Sequence, residues 1–279
     1  MTALDSASTE SASLGVDRTA PTAAQAAWRA FNLQLALYKH VWHGTVFTSV
    51  LLPILYMVSI GIGVGAYIDS SSVGGLTYAE FIAPGLICSV AVMMLGNDMV
   101  FPVFGGYADW GGGYLAQRAT PLRPVDMLNG HLAYAAVFRP FTNCTIVAVV
   151  LALFGVYTTS WWAAFAVIAA ALVSASLAPW LHFWASSLKN DANLNMIFRF
   201  AVMPISLFSG VFFPASEMPG FLQPLVWASP LWHGTELARA ATADVAPALP
   251  PFAHIAYLAA LAVAGWFAAR WRIQKRLNF

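Results

Sequence analysis

Between Arg139 and Lys189 the chain runs for 49 residues without an Asp, Glu, Lys or Arg. Shorter runs of the same kind separate Lys39 from Asp69 (29 residues), Glu80 from Asp98 (17), Arg199 from Glu217 (17), Glu217 from Glu236 (18) and Asp244 from Arg270 (25). A helix crossing the ~30 Å hydrocarbon core of a bilayer needs about 20 mostly apolar residues. As one helix the longest run would reach roughly 74 Å. It therefore holds two crossings, divided where polar and turn-forming residues gather between Gly155 and Ser160. Only 9% of the 279 residues are charged and 59% are apolar, against roughly 25% charged in soluble domains. The chain reads as an all-α integral membrane protein with six transmembrane helices, at about 46–67, 80–103, 129–155, 161–186, 197–213 and 252–270.

The stretch 214–250 is left out of that count. Pro214, Pro219, Pro224 and Pro230 each lack an amide donor, and an unpaired backbone group in lipid costs several kcal/mol. Two short helices, around Phe221 to Ala228 and Pro230 to Ala241, are expected to form an extracytoplasmic re-entrant or interfacial hairpin before the last span, with Phe221, Trp227 and Trp232 at the interface. With a cytoplasmic amino terminus, Arg18, Arg29, Lys39, Arg118, Arg123, Lys189, Arg199, Arg270, Arg272, Lys275 and Arg276 lie inside and only Arg239 outside. That bias puts both termini on the cytoplasmic side of the plasma membrane.

Residues 1–23 are rich in Ser, Thr and Ala and read as a disordered cytoplasmic tail without the apolar core of a secretory signal; 24–279 form one transmembrane domain. Trp28, Phe31, Leu35, Tyr38 and Trp42 recur at steps of three and four. This spacing predicts one face of a cytoplasmic interfacial helix ahead of the first span.

A net charge of +1 leaves no basic excess for nucleic acid. Cys88 and Cys144 stand in apolar runs and read as buried thiols. HExxH, GxSxG and GxxxxGK[ST] do not occur, so no catalytic residue, metal site or bound cofactor is assigned and nucleotide energy must come from a partner. His40 and His43 lack further ligands, and His131, His182 and His233 read as hydrogen-bonded packing residues. Asp98 and Arg139 are intramembrane charges, read first as paired or snorkelling and second as substrate contacts.

Gly105 to Asn129 is long for a connection between spans, at 25 residues where 2–8 is usual. Trp110, Tyr114 and Leu115 are expected to fill a partner's groove, with Arg118 and Arg123 at its rim. The alternative is a loop anchored in lipid headgroups.

Four patterns accompany this order of elements: YAEFIAPGL at 78–86, RATPLRPVDMLNG at 118–130, LFSGVFFPASEMP at 207–219 and SPLWHGTELARA at 229–240. Over about 25–279 the chain resembles the membrane subunits of ABC-2 type ABC exporters, particularly the group of the nodulation-factor export permease. The resemblance implies a permease paired with a second permease subunit, identical or related, and driven by cytoplasmic ABC ATPase subunits that hold ATP and Mg2+. It also implies a coupling helix at about Asp109 to Arg118, shortened toward Tyr114 by Gly111, Gly112 and Gly113. The interfacial helix, Trp28 to His43, would touch the ATPase too. Outward alternating access is expected along spans one, two and five, with Pro53 and Pro204 as kinks. Met57, Met93, Met94, Phe200, Met203, Phe208 and Phe212 would line a path for a lipid-like, glycolipid or amphipathic drug-like cargo, or else pack helix on helix. A secondary transporter would need midplane carboxylates and repeat symmetry, and a lipid-modifying enzyme a His, Asp or Cys cluster at one depth; the sequence offers neither.

Overall fold

The computed structural model describes residues 21–107, 113–117, 119–158, 162–243 and 245–277. The expected tail falls mostly outside them, and Ala23–Tyr38 already forms a helix, α1. A reciprocal capping box starts it: the Thr22 hydroxyl accepts from the Gln25 amide, and the Gln25 side chain accepts from the Thr22 amide. The chain then breaks at residues 39–41 before α2, Trp42–Tyr67. Trp42 therefore belongs to the first long helix and not to the amphipathic one, a correction to the expected stripe. Trp28 is 62% exposed, whereas Phe31, Leu35 and Tyr38 are half-buried.

The other long helices are α3 (Tyr78–Tyr107), α5 (Pro124–Ala152), α6 (Ala164–Ala185) and α10 (Pro251–Leu277); a one-turn helix, α4 (Gly113–Gln117), precedes α5. With α2 these make five helices, among the described residues, long and apolar enough to cross a membrane. α10 runs past the expected end at 270, because Arg272, Lys275 and Arg276 occupy a helical end that lies beyond the apolar stretch. The turn between α5 and α6 contains Gly155 at φ +68, a left-handed conformation that suits glycine.

The segment expected at 197–213 is a shorter helix, 194–208 (α7): α-helical at Leu194–Ile197, π-helical at Phe198–Val202 and α-helical again at Met203–Phe208. It runs antiparallel to α3. Phe198 stacks on Phe101 at 5.7 Å and abuts Gly96; farther on, Val211 seats on Gly85 and the Phe212 carbonyl accepts from the Tyr78 hydroxyl at 3.0 Å. The helix and the bent segment after it thus follow α3 for about 35 Å. α5 also contains a π-helical stretch, Ala133–Phe138. The π stretches of α5 and α7 end two residues before a proline, Pro140 and Pro204, whose missing amide removes an i→i−4 bond, and a third, Met57–Val64 in α2, follows Pro53.

In the hairpin region the helices are α8 (Gln223–Trp227) and α9 (Pro230–Ala243). α9 is not a surface-lying helix. It buries Leu231, Trp232, Thr235 and Ala238 against α3 and α6, and Gly234 lets it approach so closely that a Cβ there would stand 2.1 Å from Val173.

Candidate functional site

The basic residues gather at one end of the bundle, which the loops after α3 and α6 and the end of α10 build together. α4 turns Tyr114 inward, where it is 3% exposed and packs on Tyr107 with ring centroids 4.9 Å apart. His131 Nε2 faces the Asp98 carbonyl at 3.1 Å, so it carries the proton, and Nδ1 accepts from the Tyr114 hydroxyl at 2.6 Å. The phenol oxygen in turn accepts from His182 Nε2 at 3.3 Å. Burial, and then Tyr107, hold the Tyr114 phenol well above its ordinary pKa, so it remains a neutral donor. Arg276 closes this end: its guanidinium lies 4.3 Å from the Tyr107 ring and donates to the carbonyls of Ser186 and Leu188, which the end of α6 leaves unpaired.

Deeper in the bundle, Arg139 Nε donates to Asp98 Oδ2 at 2.7 Å. The Arg139 guanidinium also lies 4.5 Å from the Tyr38 ring. The two intramembrane charges are therefore each other's partners, joining α5 to α3 and to α1. Just below, α1 lies against Gly130, where a Cβ would stand 2.5 Å from the Ala27 carbonyl.

Among the residues expected to engage a partner, Trp110 and Arg118 lie outside the described residues. Tyr114 is not an outward anchor, because its hydroxyl is satisfied by two buried imidazoles that no solvent-facing position offers. Leu115, its neighbour, is 42% exposed. The Arg123 side chain is largely exposed and pairs with Asp126 at 3.2 Å, while its backbone amide donates to the same carboxylate at the start of α5. A groove of about 670 Å³ opens between α1, the end of α3 and α4, lined by Leu33, Leu37, Phe101, Gly113, Gln117 and Thr120.

The residues expected to line a path are not gathered into one. Met57 is fully buried, Met94 accepts from Asn143 at 2.8 Å, and Phe212 is half-buried beside Tyr56. Met93, Phe200, Met203 and Phe208 are exposed. α7 sets one face on α3 and leaves the other open, so spacing along the sequence places these side chains on opposite sides of the packing.

At the far end, sequence reasoning missed Arg239, which it counted as a loop charge. The residue is 7% exposed. It pairs with Glu236 at 2.7 Å, donates to the Gly210 carbonyl at 3.0 Å, and lies 4.0 Å from the Phe81 ring. Burial lowers its pKa, against the opposing effect of Glu236. The signal available was the Glu-x-x-Arg spacing in 229–240. His233 Nε2 donates to the Trp227 carbonyl at 3.0 Å, leaving Nδ1 to accept from His254 Nδ1 at 2.8 Å. No group of three His, Cys, Asp or Glu side chains suited to a metal occurs among the described residues.

The family model for the ABC-2 type transporter matches residues 25–242. Nodulation protein J of Rhizobium leguminosarum bv. trifolii is 28% identical over 67% of this chain and 70% of its own. The protein of the same name from Azorhizobium caulinodans is 26% identical over 76% of this chain and 82% of its own. That from Rhizobium meliloti is 26% identical over 90% and 93%.

Proposed function

The chain belongs to the ABC-2 type transporter family, and on that premise we propose that it is the permease subunit of an ATP-driven exporter. It pairs with a second permease, a copy of itself or a relative, and with ABC ATPase subunits that bind ATP and Mg2+. α7 and the bent segment after it make a sixth crossing, the basic end faces the cytoplasm, and both termini lie there, in the plasma membrane. The cargo is lipid-like, a glycolipid or an amphipathic drug-like molecule, moved outward by alternating access. A second subunit facing the open side of α7 would enclose Phe200, Met203 and Phe208 along the path.

One observation carries the reading. α4 is rooted by Tyr114 in a buried hydrogen-bond cluster while Leu115 on the same turn stays exposed. A rooted helix with a free apolar face is a lever that a partner can push. Replacing Leu115 with Asp should abolish stimulation of a co-purified ATPase while leaving the chain folded. Transport by the purified chain without nucleotide, or labelling of a cysteine at position 115 from the cell exterior, would overturn it.

A further inference from the structure

On the outer side of α5, α6 and α10 lies an open apolar slot of about 500 Å³, within the range of small-ligand sites. Small or flat side chains floor it, among them Ala133, Ala136, Ala175 and Pro179, and Val263 and Phe267 of α10 form its wall. A second apolar groove, of about 560 Å³ beside α1, shares Ala133 and Val137 with it. The π-helical stretch of α5 is thus a ridge with a slot on either side.

The mouth of the first slot is polar and basic. Trp266 lines the slot and donates from its indole to Asn129 at 2.8 Å. The exposed Arg270, one turn farther along α10, lies 5.3 Å from the Trp266 ring. No carboxylate bridges Arg270 among the described residues, and α10 carries no acid.

We propose that this is a binding site for an anionic phospholipid, distinct from the cargo path and independent of the ATPase. One acyl chain lies in the α5–α6–α10 slot, the second in the groove beside α1, and the phosphate of the headgroup sits at Arg270. An apolar slot at membrane depth has no polar group to hold water, and lipid tails match its walls. The fixed indole marks the headgroup level, and the uncompensated guanidinium selects negative charge.

The test is native mass spectrometry of the full chain after reconstitution in vesicles of equal phosphatidylglycerol and phosphatidylcholine. The wild type should retain phosphatidylglycerol about fivefold over phosphatidylcholine, the ratio one cation gives at a membrane surface. Arg270→Gln should remove the preference but keep bound lipid. Val263→Trp, placed at an exposed position, should block the slot and lose the retained lipid at unchanged melting temperature. Ile255→Trp, also at an exposed position on α10 but away from the slot, should change nothing. Equal retention of both lipids by all four proteins would mean annular lipid only and would overturn the proposal. So would a dimer of the wild type that Val263→Trp splits, since a second copy would then cover the slot.

Discussion

The guanidinium of Arg139 is held between the carboxylate of Asp98, 2.7 Å from Nε, and the ring of Tyr38, 4.5 Å from its centre. One side chain therefore fixes three helices at a depth where water cannot substitute for it. Removing a single partner of a buried pair costs about 3–5 kcal/mol, whereas replacing both by apolar residues is often close to neutral. Arg139→Leu should sharply reduce the monodisperse fraction in size-exclusion chromatography, and Asp98→Leu combined with Arg139→Met should restore most of it. A wild-type profile for Arg139→Leu would show that the pair does not hold the bundle.

At Gly130 the backbone of α1 packs directly against α5. A methyl group there meets a backbone carbonyl and the Ala30 side chain, both 2.5 Å away, and neither can rotate aside. Gly130→Ala should cost about 1–3 kcal/mol through overpacking. The visible outcome is faster proteolytic cleavage at the α1–α2 turn, with α10 still protected. Unchanged cleavage would mean that α1 adapts without strain.

Tyr114 and Leu115 should separate stability from partner engagement. Tyr114→Phe strands the His131 and His182 nitrogens and should cost about 1–3 kcal/mol, lowering the melting temperature. Leu115→Asp should leave the melting temperature unchanged and impair only ATPase stimulation. If the two variants behave alike in both assays, α4 is not a rooted lever.

His233 makes stability depend on pH. Burial, reinforced by the neighbouring His254, lowers its pKa to about 4. An unfolded imidazole titrates near 6.5. Between those values the unfolded chain binds more protons, so stability is fully present above about pH 6.5 and declines as the pH falls toward 4. Thermal denaturation in detergent should show this decline, and His233→Gln should flatten it. An equally steep slope in the variant would assign the effect to other groups.

Gathering charge-free runs located the five long helices, because the cost of a charge in hydrocarbon is met residue by residue and needs no neighbour. The proline spacing of 214–250 likewise located α8 and α9, since a missing amide is a local fact. The amphipathic stripe announced α1 but misassigned Trp42, because the three-residue break at 39–41 interrupts a period that survives in the letters. Other features belong to the tertiary structure. Asp98 meets Arg139 across 41 positions, and Arg239 meets the Phe81 carbonyl across 158; no local rule links such pairs. Tyr114 and Leu115 are adjacent, yet one is a root and the other a free face. That difference arises only when α4 is set against His131 and His182. Periodicity tells which residues share one side of a helix, and the energy of close packing among several helices decides what that side will meet.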